Sequence, residues 1–162
     1  MKAKITINDV EKEITITEEQ AKVLGFNFSK IWKPESCEPY WFVGDDGEIY
    51  KEFWADTMDD IYRWETGNCK QTEAECEFKR EKEKVETELE NFAKEHNEPI
   101  DWGDFRPEKF YINWDYGENE IVFPSNITYK GNDIYYSSKK IAEAAVKAVG
   151  EDRVKKYYLE VK

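Results

Sequence analysis

The sequence predicts an α+β fold: two β-β-β-α units whose helices cover antiparallel sheet, plus an N-terminal hairpin and a short helix. Three observations carry this. Apolar and polar residues alternate near 5–16, and short runs rich in aromatic and β-branched residues stand at 40–43, 49–54, 110–114 and 120–123, the marks of strands. Turn-forming residues separate the runs, above all Gly44-Asp45-Asp46-Gly47. Two longer segments carry apolar residues at three-four-seven spacing behind helix-capping residues, which marks helices with one buried face.

At the start, Ile5 and Ile7 alternate with polar residues, Asn8-Asp9 supply turn chemistry, and Ile14 and Ile16 alternate again. Thr17-Glu18-Glu19-Gln20 is a capping box opening a short helix that buries Ala21 and Leu24 and stops at Gly25. A loop rich in Phe26, Phe28, Ile31, Trp32, Pro34 and Pro39 closes this first segment, 1–38. The second segment, 39–97, begins with strands at 40–43 and 49–54, continues through a loop at 56–60, and has a third strand expected at Ile61-Tyr62-Arg63-Trp64. A second capping box, Thr72-Glu73-Ala74-Glu75, opens a helix over about 72–96 with a stripe of Phe78, Val85, Leu89 and Phe92. That stripe suits docking on the chain's own sheet or on a second copy in a homodimer. The Pro- and Gly-marked linker 97–108 leads into the third segment, 98–162, which has strands at 110–114, 120–123 and 134–136. Ser138 caps its helix, which buries Ile141, Ala144, Ala145, Ala148 and Val149 and ends at Gly150. The two later segments rhyme: strand, turn, strand, Gly-Asn, short strand, capped helix. The rhyme is either a duplication or a chance recurrence of hairpin-plus-helix units, and all three segments belong to one domain.

A load of 9 Phe, 10 Tyr and 6 Trp is enough to build a core, although mean hydropathy is only −0.88. The net charge of −12 repels phosphate and anionic lipid, so direct DNA binding and membrane-surface binding are not expected. No apolar run reaches the roughly 18 residues of a spanning helix, and MKAKITINDVEKE does not read as a signal peptide. With Cys37, Cys69 and Cys76 in an odd count and no CxxC, a cytoplasmic location with reduced thiols is expected. The lone His96 and the three thiols lack the spacing of a zinc site, so no metal and no cofactor are expected.

Quoted in order, Glu18-Glu19-Gln20-Ala21-Lys22-Val23-Leu24-Gly25, Tyr40-Trp41-Phe42, Asp46-Gly47-Glu48, Gly67-Asn68, Thr72-Glu73-Ala74-Glu75 and Val149-Gly150-Glu151-Asp152-Arg153-Val154-Lys155-Lys156-Tyr157-Tyr158 form a signature. On it, the chain resembles a loose family of phage and prophage proteins of Firmicutes. The resemblance implies a phage accessory product acting in the host cytoplasm. It implies no reaction and no catalytic residues. The chain departs from that family in the acidity of its helix 72–96.

No phosphate loop, HExxH or GxSxG occurs, and a single histidine at a helix end is a poor nucleophile partner, so no catalytic residues are assigned. The charge is segregated. Residues 33–78 hold thirteen acids against four bases, a net of −9, whereas 138–162 hold seven bases against four acids. The acidic stretch also contains Trp41, Trp54, Tyr62 and Trp64. Carboxylates beside aromatic anchors suit a basic, nucleic-acid-binding groove on a host protein. The candidate contact set is Asp45, Asp46, Glu48, Trp54, Asp56, Asp59, Asp60, Tyr62 and Trp64, and the expected role is anti-defence or anti-CRISPR-like inhibition. Two other readings exist. Lys139, Lys140, Arg153, Lys155 and Lys156 beside four tyrosines suit a nucleotide or single strand, making the protein a signalling-nucleotide sponge. Alternatively, Asp45, Asp46, Glu48, Asp56, Asp59 and Asp60 supply ligands for a metal-dependent hydrolase.

Overall fold

The computed structural model describes residues 2–7, 10–17, 20, 23 and 31–161. The chain divides at Lys33/Pro34 into an N-terminal unit and a larger C-terminal unit, five residues earlier than the sequence boundary of 38.

In the N-terminal unit, β1 (Lys2–Ile7) pairs antiparallel with β2 (Val10–Thr15) in the register Ala3↔Ile14, Ile5↔Lys12, Ile7↔Val10. The expected hairpin is present, while its Asn8-Asp9 turn lies outside the described residues. Thr17 and Gln20 make the reciprocal bonds of a capping box: each backbone N–H donates to the other's side-chain oxygen. Ala21, Leu24 and Gly25 lie outside the described residues.

The C-terminal unit is α+β, built on small antiparallel pairs and helices. β3 (Pro39–Val43) and β4 (Ile49–Phe53) form the predicted hairpin, closed by Gly47 at φ +79°. Glycine reaches that left-handed conformation without a Cβ clash. Residues 61–64 are not a strand. They belong to α1 (Met58–Glu65), nucleated by a third capping box in which Thr57 Oγ1 accepts from the Asp60 N–H and the Asp60 carboxylate accepts from the Thr57 N–H. The role expected of 61–64 falls to a single residue, Lys70, whose N–H and C=O bond Trp41 at 2.8 and 2.9 Å. Beside it, the Asn68 side-chain amide imitates a strand partner, bonding both Val43 N–H and C=O.

α2 (Glu73–His96) starts at the predicted Thr72 box and runs 24 residues. It meets β3, β4, α3 (Lys139–Val149) and the chain end, the last through Phe78 on Tyr157 and Lys82 with Glu160. Val85 and Leu89, the middle of the predicted stripe, are fully buried in the chain's own core. Phe92 is half-buried, and Ala93 takes the inner position beside it. β5 (Lys109–Phe110) pairs with β8 (Ser125–Asn126), and β6 (Asn113–Asp115) with β7 (Glu120–Val122). The strand expected at 134–136 is reduced to one bridge, Phe110↔Tyr136. Here the backbone-mimicking amide is Asn97, bonded to Tyr135 C=O and Ser137 N–H, and not the Gly-Asn of the rhyme.

Ser138 caps α3 as predicted, but its buried face is Ala142, Ala145, Val146 and Val149. Ala144 and Ala148 are exposed: the predicted stripe was rotated by one position where alanines occur on both sides. Gly150 (φ +103°) breaks the helix; a short turn, Glu151–Arg153, and a π-helical turn, Val154–Tyr158, follow and pack Val154, Tyr157 and Tyr158 on the core. Arg153 locks this end to α2 through a two-pronged bond to Glu88 at 2.7 and 2.9 Å.

Within this core the Tyr136 hydroxyl is fully buried and lacks a hydrogen-bond partner among the described residues. An unmade hydroxyl bond costs stability. Tyr136→Phe is therefore expected to stabilise the protein by about 1 kcal/mol, read as a higher urea midpoint at unchanged slope. A lower midpoint would show that the hydroxyl has a partner.

Candidate functional site

The acidic lobe is organised around one buried carboxylate. Asp60 is 2% exposed. Its Oδ1 accepts from the Tyr40 hydroxyl at 2.6 Å, and its Oδ2 accepts from the Ala55 and Thr57 N–H groups at 3.0 Å each. Arg63, one turn on, donates to the Tyr40 oxygen at 2.7 Å and lays its guanidinium 3.7 Å from the Phe42 ring centre. Burial works against the charged carboxylate, but the bonds from Tyr40, Ala55 and Thr57 prevail and hold Asp60 down at about 2. Burial, with the Asp60 bond added, pushes the Tyr40 phenol up to about 12. This network is structural: it fastens α1 to the hairpin.

Two of the predicted contact residues therefore lie inside. Asp60 holds its network, and Trp54, 2% exposed, packs edge-on against Tyr40 with ring centres 6.0 Å apart. Its Nε1 donates to Asp56 Oδ1 at 2.6 Å, with Asp56 in the left-handed region at φ +55°. Trp64 is half-buried. The other predicted residues are outside. Asp45, Asp46 and Glu48 occupy the hairpin turn, where Asp46 accepts from Tyr50 Oη at 2.6 Å; that bond first, and the Glu48 N–H second, hold its carboxyl below the usual range. Asp56, Asp59 and Tyr62 are exposed at the opposite end. The two ends are separated by the length of five-residue strands, roughly 17 Å.

The exposed apolar anchors are Phe53 (56%), Met58 (59%) and Tyr62 (56%). Sequence reasoning missed Phe53 and Met58. The available signal was Thr57-Met58-Asp59-Asp60, itself a Thr-x-x-Asp capping box. Read as one, it places Met58 and Tyr62 a turn apart on one helix face.

The charges also differ in how they are matched. On α2, carboxylates pair with neighbours: Glu83 with Lys79, Glu81 with Lys84, Glu90 with Lys94, and Glu88 with Arg153. On the lobe, Asp45, Asp46, Glu48, Glu52, Asp56, Asp59 and Glu65 are all exposed, and none makes a salt bridge among the described residues. Of the lobe's bases, Arg63 is turned to Tyr40 and Phe42, and Lys51 lies 5.5 Å from the Trp41 ring.

The five C-terminal cations do not converge. Lys139 and Lys140 open α3, while Arg153 follows its end, roughly 16 Å along the axis. Arg153 is tied to Glu88, and Lys155 lies 4.7 Å from the Trp114 ring. Lys155 and Lys156 line a cavity of about 510 Å³ with Phe78 and Val161, but Asp152 and Glu160 line it too, so it carries no net positive charge. For the hydrolase reading, no group of three or more His, Cys, Asp or Glu among the described residues is placed to hold a metal ion. Both oxygens of Asp60 are already engaged. Cys37 is exposed, and Cys69 and Cys76 are buried free thiols; burial pushes Cys69 up to about 11, away from thiolate chemistry. His96 stacks on Phe92 at the end of α2. Among the described residues, no helix is long and apolar enough to cross a membrane.

Comparison with protein-family models, curated proteins and solved structures returns no match, so the functional reading rests on the residues themselves.

Proposed function

We propose that the protein is a phage-encoded inhibitor whose β3–β4–α1 lobe occupies a basic, nucleic-acid-binding groove on a host protein. The observation that carries this reading is that one lobe exposes seven carboxylates outside any salt bridge among the described residues, with Asp56 and Asp59 at the end that also exposes Phe53, Met58 and Tyr62. Unpaired charge keeps its field available to steer a cationic partner, and exposed rings and thioether supply apolar contact once the partner is seated. Trp54 and Asp60 hold the lobe's shape from inside.

The test is capture of proteins from a host-cell lysate on the immobilised protein, compared with an Asp45→Lys, Glu52→Lys, Glu65→Lys variant. These three positions are exposed and outside the Asp60 network. The expected result is a captured protein that also binds DNA. It is released by excess duplex DNA, is lost on charge reversal, and binds more weakly as salt rises. Equal retention by the reversed variant, or indifference to competing DNA, would overturn the reading.

A further inference from the structure

A second surface lies on the other half of the C-terminal unit. β7 has one strand neighbour, β6, in the register Asn113↔Val122, Trp114↔Ile121, Asp115↔Glu120. Continuing that ladder, the Tyr111 N–H donates to Pro124 O at 3.1 Å. In an antiparallel pair, mutually bonded and unbonded positions alternate. The 111/124 bond therefore makes 113/122 and 115/120 the bonded pairs, and turns the backbone N–H and C=O of Ile121 and Phe123 away from β6. No described residue pairs with that outer edge.

The same two residues, which pack against the core, line a groove of about 530 Å³ with Val146 of α3, so apolar lining runs beside the open edge. Its other lining residues are Glu120, Glu143, Glu151 and Lys147, three carboxylates against one ammonium. Glu143 has only a 3.8 Å contact to exposed Lys139. An added strand finds three things together here: backbone partners at Ile121 and Phe123, an apolar slot, and a negative rim.

We propose that the β7–α3 groove is a strand-addition site for an extended basic segment of a partner protein, with alternate apolar side chains over Ile121, Phe123 and Val146 and alternate Lys or Arg facing the rim. An acidic segment is repelled by the rim, and a helical one leaves the edge groups unmade.

The probe is a fluorescein-labelled heptapeptide alternating lysine with valine, measured by anisotropy at low salt. Because any basic peptide is drawn to an acidic protein, the variants decide. Glu120→Lys with Glu143→Lys is expected to weaken binding about tenfold, since two attractive rim contacts become repulsive. Glu77→Lys with Glu95→Lys, at exposed positions of α2 outside both surfaces, is expected to change it less than twofold. Backbone N-methylation at alternate peptide positions, which removes the ladder donors, is expected to abolish binding, and hydrogen exchange at the Ile121 and Phe123 amides is expected to slow when the unmodified peptide binds. Equal losses in the two double variants, unchanged binding of the N-methylated peptide, or no saturation at millimolar peptide each overturn the proposal. Partner capture by the acidic lobe is read separately, so either surface can fail alone.

Discussion

Replacing Asp60 by alanine is expected to lower the unfolding free energy by about 3 kcal/mol, one of the largest single-residue effects in the acidic lobe. The change removes the acceptor for the Tyr40 hydroxyl and for two backbone N–H groups, and it deletes half of the capping box that starts α1. Arg63 is left donating to a phenol that has lost its own acceptor. The same carboxylate sets a pH dependence. Its value is about 2 in the fold against an ordinary 3.8, so it binds its proton less readily when folded. The stabilisation is then complete above the ordinary value and is lost as pH falls through about 2, a contribution on the order of 2 kcal/mol. Urea unfolding from pH 7 to pH 2 is expected to show the gap between the wild type and Asp60→Ala narrowing at the acid end. A loss below 1 kcal/mol at pH 7, or a gap that does not narrow, would show that the network does not fasten the lobe.

Trp54→Ala is expected to cost about 3–5 kcal/mol, the range for emptying a buried aromatic site. It removes the edge-on contact with Tyr40 and the bond to Asp56, a residue in the left-handed region at φ +55°. Tyr62→Ala is the instructive companion. Its ring is more than half exposed, so stability is expected to stay within about 0.5 kcal/mol of the wild type. Partner capture is expected to fall with Tyr62→Ala while the fold stays intact. With Trp54→Ala, capture and fold are expected to fail together. Denaturant unfolding run beside the capture assay separates the two. A Tyr62→Ala protein that captures its partner at full strength removes that ring from the docking surface.

Much of the local structure was legible in the residues because its causes are local. The Thr72 box, the Ser138 cap, the Gly150 stop and the Gly44–Gly47 turn are each decided by a few neighbouring side chains and one backbone conformation. The 61–64 segment was misread because Ile61-Tyr62-Arg63-Trp64 has strand-like composition, while the evidence for helix lay four residues upstream at Thr57.

By itself, the sequence determined the α+β class, the capped helices, the first hairpin of the C-terminal unit and the crowding of negative charge into residues 33–78. Only the tertiary structure decided which of those charges face outward. Asp59 and Asp60 are adjacent and chemically alike, yet one meets water and the other meets Tyr40. That difference depends on where the hairpin sits relative to α1, a long-range fact. The same holds for the open edge at Ile121 and Phe123, because a strand's unused hydrogen-bonding side exists only once its neighbours, and the places where it has none, are set in space.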